Sequence, residues 1–429
     1  MEERIRRIGT ELYDDMQREW RSLQPAHRWE FQVLRWCLAD PELRVRVLRF
    51  MDCLPALSDP RDIVLHLRQY FPQPDSRLPA PLRLGLAAAR PTLLTAPAVA
   101  AATRAVAVRI ARLFIAGSTL EEAAGPIHRL ASDGFRVSVD LLGETTLSHA
   151  EAERSLRRTL ELIERWPSLY PGPVHLSLKL SSLAFPFDPG APEAAWRRVA
   201  PRLKAIFQAV LERGGLLNID MEQFTLRDLT LEIAQRLLEE LPAASSLGVV
   251  IQSYLKDSEP VTRRLLERVE KHGVPITVRL VRGAYWDTEV ILARQRRWPC
   301  PVFEGKPQTD ACFERLTDLL LQHPAGVRVA IATHNLRSIA RAIARAQEWN
   351  VPQERWECQM LYGVNPALHR AVRNAGVPVR IYTPIGEWIP GMAYLVRRML
   401  ENTSQYSFLS AGLTEHLPAQ RLLEAPAGV

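Results

Sequence analysis

"ITVRLVRGAYWD", residues 276–287, begins as a buried strand and ends as something else. Ile276, Val278, Leu280 and Val281 form the kind of apolar run that fills a parallel sheet. Arg279 and Arg282 interrupt it, and Gly283 and Ala284 then open into Tyr285, Trp286 and Asp287. Taken alone, the segment has a plain reading: Arg279 faces outward on an alternating strand and the two aromatics are packing. The pattern on either side decides the fold.

Outward from this stretch the same order, strand then amphipathic helix, recurs. Upstream, FRVSVDLLGE (135–144) precedes EAERSLRRTLELIERW (151–166), and VHLSLKLSSL (174–183) precedes PEAAWRRVAPRLKAIFQAVLERGG (192–215). LLNIDMEQF (216–224) precedes LRDLTLEIAQRLLEEL (226–241), and LGVVIQSYL (247–255) precedes EPVTRRLLERVEKHG (259–273). The quoted strand is the fifth, followed by a helix containing CFERLTDLLLQH (312–323). VRVAIATHN (327–335), WECQMLYGV (356–364) and PVRIYTPIG (378–386) each precede a helix in turn, the last being GMAYLVRRMLEN (391–402). Eight such units in about 270 residues predict an α/β fold, a (β/α)8 TIM-type barrel, in preference to a doubly wound open sheet.

Ahead of the barrel, PELRVRVLRFMDCLPAL (41–57) and RDIVLHLRQYF (61–71) place apolar residues at helical spacing, divided by Pro-rich joints such as FPQPDSRLPAP (71–81). The expected organisation is an α-helical N-terminal arm over residues 1–125, a barrel over 126–402 and a C-terminal tail over 403–429. The apolar stretch 84–114 is broken by Arg90, Pro91, Pro97, Arg104 and Arg109, which falls short of a membrane span. The start is charged and lacks a secretory core, so a soluble, cytoplasmic protein is expected, with peripheral contact to the inner membrane left open.

The net charge of +7 is spread along the chain with carboxylates between, which disfavours nucleic acid as a partner. Five dispersed cysteines without ligand spacing fit a reducing compartment. No His-x-His, Walker loop or G-x-G-x-x-G occurs, so no metal is expected and nucleotide hydrolysis and Rossmann-type binding lose their usual marks.

Barrel enzymes keep their chemistry at the carboxyl ends of the strands. Those ends read Asp140 and Glu144; Lys179; Asp220 and Glu222; Gln252 and Tyr254; Arg279, Arg282 and Tyr285; Thr333 and His334; Gln359; and Tyr382. Lys179 stands out because only five of the 55 basic residues are lysines. Each has a plainer explanation: Glu144 as a helix cap, Asp220 with Arg279 as a structural ion pair, Arg397 and Arg398 as a solvated helix face. A Schiff-base aldolase built on Lys179 is a further chemistry, weakened by the surrounding charges. Eight polar strand ends on one mouth argue for a site.

SVDLLGE, SLKLSSL, NIDMEQ, VVIQSYLKDS, RLVRGAYWDTE, ATHN, ECQMLYGV, VRIYTPIG and YLVRRMLEN together resemble the flavin-dependent proline dehydrogenase barrel, in order and spacing. The helical leader resembles the corresponding part of bifunctional proline utilization A proteins. That resemblance implies a distorted (β/α)8 barrel that binds FAD and oxidises L-proline to Δ1-pyrroline-5-carboxylate by hydride transfer to flavin N5. It implies that Lys179, Arg397 and Arg398 hold the proline carboxylate, that Tyr285, Leu361 and Tyr382 wall the ring, and that Glu144 supports the arginine pair. Asp220 fixes the carboxylate-binding cluster and Arg279 lies beside the flavin. Met221, Gln252, Arg282, Gly283, Ala284, Trp286, Thr333, His334 and Glu401 are implied as further FAD contacts. A quinone electron acceptor and a pyrroline-5-carboxylate dehydrogenase, separate or fused, are the implied partners.

Departures accompany the resemblance. Arg282 stands where relatives carry lysine, Glu304 and Gly305 replace Thr-Arg, and GEWIPGMAYL (386–395) replaces a more polar approach to the last helix. No ribbon-helix-helix segment is evident, and residues 407–429 resemble the junction leading into an aldehyde dehydrogenase half, so the chain is expected to be either a stand-alone enzyme or part of a larger one. A flavin barrel acting on a related cyclic amino acid such as hydroxyproline is the second reading. A degenerate barrel serving as a binding scaffold is the third, and retention of Lys179, Asp220, Arg279, Arg397 and Arg398 argues against it.

Overall fold

A computed structural model describes residues 1–22, 41–71, 92, 94–143, 146–241, 246–323, 326–389, 391 and 418–426. Eight parallel strands close into a barrel in sequence order: β1 Arg136–Leu141, β2 His175–Leu178, β3 Leu216–Ile219, β4 Leu247–Gln252, β5 Ile276–Val281, β6 Val327–Ala332, β7 Trp356–Leu361 and β8 Val379–Ile385. β1 pairs with β8 from Arg136↔Arg380 to Leu141↔Ile385, which completes the ring.

The helices that follow the strands start where capping groups stand. The Ser148 and Asn335 side chains accept from the backbone N–H of Glu151 and Ser338, beginning the helices His149–Leu169 and Leu336–Glu348. Gly273, with φ of 65°, ends the helix Ser258–His272. The β strands send alternate residues outward to these helices: Val278 and Leu280 join the large core with Phe313, Leu316 and Ile339.

Two details differ from the sequence reading. β2 stops at Leu178, Leu180–Ser182 form a short 3-10 turn, and Lys179 is therefore the residue after the strand. The single helix expected after β5 is two, Trp286–Arg296 and Lys306–Gln322. Between them Val302 bridges back to Leu255, and Pro301 and Pro307 help keep the chain from continuing one helix.

The first helix, Glu2–Ser22, buries Ile5, Ile8, Leu12 and Met16 on one face against the helices Leu336–Glu348 and Pro366–Asn374. Arg337 locks it there, donating to both oxygens of Glu2 at 2.8 and 3.0 Å, to Glu314 at 2.8 Å and to the Leu423 carbonyl at 2.8 Å. A second core gathers Phe50, Met51, Leu54, Ile63, Val64, Ala111 and Phe114 from helices Pro41–Cys53, Pro60–Tyr70 and Ala96–Phe114. Leu142, Leu361 and Trp388 pack against that second core, which seats the helical region beside the carboxyl ends of β1, β7 and β8.

Candidate active site

Arg279 settles which way the strand faces. It lies on β5, yet it reaches groups of β2, β3 and β7, none of which neighbours β5; its side chain therefore points into the barrel. Its Nε donates to Gln359 Oε1 at 2.7 Å, its NH1 to Asp220 Oδ1 at 2.8 Å and its NH2 to Ser177 Oγ at 2.9 Å. The side chain is 5% exposed, and the guanidinium also lies 5.4 Å from the centre of the Tyr382 ring. The outward placement that the strand alone allowed is thus excluded.

Around Asp220 the strand ends converge. Lys179 Nζ lies 3.2 Å from Asp140 Oδ2 and 3.9 Å from Asp220 Oδ2. The Tyr382 hydroxyl is 2.7 Å from Asp140 and 3.1 Å from Asp220, and its one proton goes to the nearer carboxylate. Asn218 Nδ2 donates to Asp220 at 3.0 Å. Two carboxylates and two cations therefore form a charge-balanced cluster, largely shielded from water, at the mouth of the barrel. A cavity of about 300 Å³ opens from Asp140 and Lys179 toward the helix His149–Leu169, with Glu151, Arg154, Arg158 and Ser182 on its wall.

Next to this cluster Glu222 is buried and takes hydrogen bonds from Ser181 Oγ at 2.6 Å and Ser181 N at 3.3 Å. Burial raises its pKa against the pull of Ser181 and Lys179. Gln252 Nε2 donates to the Glu222 carbonyl at 3.1 Å, while its buried Oε1 meets no donor among the described residues.

A second group forms at the ends of β5 and β6. Arg282 donates from Nε to Asp310 at 2.7 Å, from NH1 to Thr333 at 2.5 Å and from NH2 to Ser338 at 2.9 Å. Lys306 also binds Asp310. Burial alone would raise the Asp310 pKa, but the Arg282 and Lys306 charges outweigh it and hold it below its usual value. Burial and Arg282 together lower the pKa of Lys306. Two cations share one carboxylate here, close to the N-termini of helices Lys306–Gln322 and Leu336–Glu348, an arrangement that favours an anion.

Between the two groups runs the turn Arg282–Tyr285, half-buried throughout. Gly283 has φ of 124°, and a Cβ there would run into the Tyr254 ring, so only glycine lets the chain pass. Trp286 opens the next helix and its indole N–H donates to the Phe303 carbonyl at 2.8 Å. His334 Nε2 accepts from the Leu361 N–H at 3.2 Å, which puts the ring proton of the neutral form on Nδ1. Its pKa is lowered to about 4, first by burial and then by Arg282.

The fold thus brings Lys179, Asp220, Arg279 and Tyr382 into one cluster, with Leu361 beside Tyr382 in the β7–β8 pairing. It brings Met221, Gln252, Arg282, Gly283, Ala284, Tyr285, Trp286, Thr333 and His334 to the strand ends around it. Glu144, Arg397, Arg398 and Glu401 lie outside the described residues. Sequence reasoning passed over Ser177, Asn218, Lys306, Asp310 and Glu357. Strand alternation would have placed Ser177, Asn218 and Glu357 inside the barrel, and the scarcity of lysine pointed to Lys306 as it did to Lys179.

Comparisons with known proteins bear on the family and the fold. The family model described as Proline dehydrogenase matches residues 123–411, and the Proline utilization A N-terminal domain model matches residues 2–114. The chain is 30% identical over 328 residues to Bifunctional protein PutA of Escherichia coli, covering 73% of this chain and 25% of that protein. It is 28% identical over 304 residues to Proline dehydrogenase 1 of Bacillus subtilis, covering 71% of this chain and 90% of that protein. The crystal structure of proline utilization A from Bdellovibrio bacteriovorus, inactivated by N-propargylglycine, matches with a TM-score of 0.87 at 32% identity, over 99% of this chain and 44% of that one. The chain therefore spans about a quarter of the length of its curated bifunctional relatives and under half of that solved chain.

Proposed function

This chain belongs to the proline dehydrogenase family, and from that premise we propose that it oxidises L-proline to Δ1-pyrroline-5-carboxylate with FAD as cofactor. The observation that supports this best is the pairing of two differently charged groups at one barrel mouth: the balanced cluster of Asp140, Lys179, Asp220 and Arg279, and the cationic group of Arg282 and Lys306. FAD, when bound, accepts the hydride removed from the carbon next to the proline nitrogen.

The residues present suit that cofactor. Arg282, Lys306 and the neighbouring helix N-termini favour its diphosphate. Gln252 offers a buried oxygen that lacks a donor among the described residues, and Gly283 removes the side chain that would keep a flat ring away from the backbone. His334 stays neutral at ordinary pH, so it neither adds charge to the Arg282 group nor competes with it.

For the substrate, Lys179 stands at the cavity, outside the cofactor group, and neutralises part of a bound carboxylate. The cluster as described is already charge-balanced, so a carboxylate substrate needs further positive charge; Arg397 and Arg398, supported by Glu144, are the residues we assign to that task. Tyr285, Leu361 and Tyr382 enclose the pyrrolidine ring, Asp140 takes the Tyr382 hydroxyl proton, and Asp220 holds Arg279 in place. Met221, Ala284, Trp286, Thr333 and Glu401 complete the cofactor contacts. Electrons leave to a quinone, with peripheral membrane contact during that step; no described helix is long and apolar enough to cross a membrane. The product passes to a pyrroline-5-carboxylate dehydrogenase, separate or fused.

The test is anaerobic addition of L-proline to the purified, FAD-loaded protein while its visible absorption is followed. Bleaching with proline and not with an acyclic amino acid supports the proposal. A flavin that stays oxidised moves the substrate elsewhere, and a protein that takes up no FAD overturns the reading.

A further inference from the structure

The interior of a (β/α)8 barrel is normally filled by branched apolar side chains in layers. Here a line of polar groups runs down the axis instead. Below the Asp220–Arg279 pair, Arg279 Nε donates to Gln359 Oε1 at 2.7 Å, and Gln359 Nε2 donates to Glu357 Oε1 at 2.8 Å. Arg380 grips Glu357 with two bonds, from Nε to Oε1 at 2.6 Å and from NH2 to Oε2 at 3.1 Å, and Arg136 adds a third at 3.2 Å. The Arg136 side chain is 46% exposed, so the line reaches the opposite face of the barrel.

The chemistry of each member dictates the next. A carboxylate with its lone pairs engaged by two arginines can only accept, so the Gln359 amide must turn its NH2 to Glu357 and its oxygen to Arg279. Arg279 has five N–H groups; Gln359, Asp220 and Ser177 each engage one, so the plane of the fork is set by three partners on three strands. Ala330 is the register partner of Arg279 on β5 and of Glu357 on β7, and its methyl side chain leaves the gap through which Arg279 reaches Gln359. The wiring is selective. Thr277 Oγ1 and His175 Nδ1 lie buried at the same end of the barrel and make no hydrogen bond among the described residues.

We propose that Gln359 and Glu357 are positioning residues: Glu357 fixes the orientation of the Gln359 amide, and Gln359 fixes the orientation of Arg279 toward the reacting ring. Neither touches substrate. The proposal rests on the proline dehydrogenase reading above. It adds a role for buried charge far from the mouth, because a carboxylate in the barrel interior is costly unless something needs it there.

The experiment compares FAD-loaded wild type with Gln359→Leu and Glu357→Gln, and with Thr277→Val as a control that alters the same interior without touching the line. Gln359→Leu is expected to lower kcat for proline by at least about 10-fold, with KM and the FAD dissociation constant each within about threefold of wild type and the flavin absorption bands displaced. Glu357→Gln should follow in the same direction, and Thr277→Val should stay within about twofold of wild type on every readout. A Gln359→Leu protein with kcat within about twofold of wild type, or a Thr277→Val protein equally impaired, overturns the proposal. Should Glu357→Gln fail to fold, Gln359→Leu decides.

A substrate-independent arm separates the two readings. In urea unfolding, the losses from Glu357→Gln and Arg279→Met should combine to less than their sum, and this shortfall should vanish in a Gln359→Leu background. Additive losses overturn the line even if proline is turned over. A coupled pair in a protein that proline does not reduce leaves the line standing and removes the proline dehydrogenase reading.

Discussion

His334 offers the sharpest quantitative test, because its surroundings set a sign and a size. The ring is half-buried between β6 and β7, accepts from the Leu361 N–H, and lies 5.8 Å, ring centre to ring centre, from His369. Loss of water around it, and then the Arg282 charge, lower its pKa from 6.5 to about 4. The unfolded chain therefore takes up a proton at this site before the folded protein does. Stability is lost as pH falls through the unfolded value and the loss is complete once pH passes below the folded one. Between about pH 7.5 and about pH 5.0 these two values correspond to a loss of about 2 kcal/mol from this one residue. His334→Gln abolishes the titration and keeps an oxygen that can accept from Leu361. Urea unfolding of both proteins at the two pH values should show the stability gap moving by about 2 kcal/mol in favour of the variant as pH falls, whatever its starting value. Comparing the two proteins cancels the contribution of His175, which burial holds well below the usual histidine value; His369, lowered first by burial and then by His334, is replaced by Gln in both proteins so that only His334 differs. A gap constant to within about 0.5 kcal/mol would refute the reasoning, since His334 would then titrate alike in both states.

Three further outcomes follow from the geometry. Lys179→Met leaves Asp140 and Asp220 facing each other across the mouth and should raise KM for proline by at least about 30-fold, on the scale of about 2–5 kcal/mol for a desolvated charge partner, with FAD still bound; steady-state kinetics with unchanged KM would remove Lys179 from the substrate site. Gly283→Ala drives a methyl group into the Tyr254 ring at a φ of 124°, so FAD content and urea midpoint should both fall, by about 1–3 kcal/mol in stability; a fully flavinated, equally stable variant would contradict the assigned close approach. Arg337→Ala leaves Glu314 with Arg341 and Glu2 with Arg6, and removes the Arg337 donor from the Leu423 carbonyl, so unfolding should cost about 3–5 kcal/mol less and limited proteolysis should release the first helix; an unaltered melting temperature would show that the apolar face of that helix suffices.

The barrel was legible because its signal is long and repeated. Eight apolar runs, each with a helix of the right period behind it, leave few other folds open, and no single run has to be read correctly. The strand-end list rests on the same geometry, since parallel barrel strands bring their carboxyl ends to one mouth. What it cannot supply is partnership. Asp220 and Arg279 read equally well as a structural pair or as working groups, and the structure shows that they are paired with each other and also tied to Ser177, Gln359 and Tyr382. The first helix after β5 escaped because "WDTEVILARQRR" has no clear apolar stripe, and its place is set by tertiary ties: Glu289 accepts from the Phe224 N–H at 2.7 Å and Trp286 donates to Phe303. Glu357 escaped because only the carboxyl ends of the strands were read for chemistry, and it stands second in β7, at the opposite end.

Charge balance explains why so much polarity is tolerated inside this barrel. Glu357 is nearly enclosed, and burial alone would push its pKa up; the Arg380 charge and hydrogen bonds reverse that and hold it at about 2. Asp220 stands between Arg279 and Lys179, and Asp140 between Lys179 and Tyr382. Asp140 and Asp220 are balanced by Lys179 and Arg279 at the mouth, and Glu357 is held by Arg380 and Arg136 at the opposite end, so the one surplus positive charge lies far from the mouth. The balanced mouth cluster has no surplus with which to attract an anion, and that has a consequence for the proposed reaction. A carboxylate substrate arriving at the mouth must be met by cations that the column does not already use, from elements outside the eight strands. The proposed assignment of Arg397 and Arg398, in the YLVRR stretch that follows β8 in the sequence, meets that requirement, and exchanging either for Met should raise KM for proline while FAD stays bound.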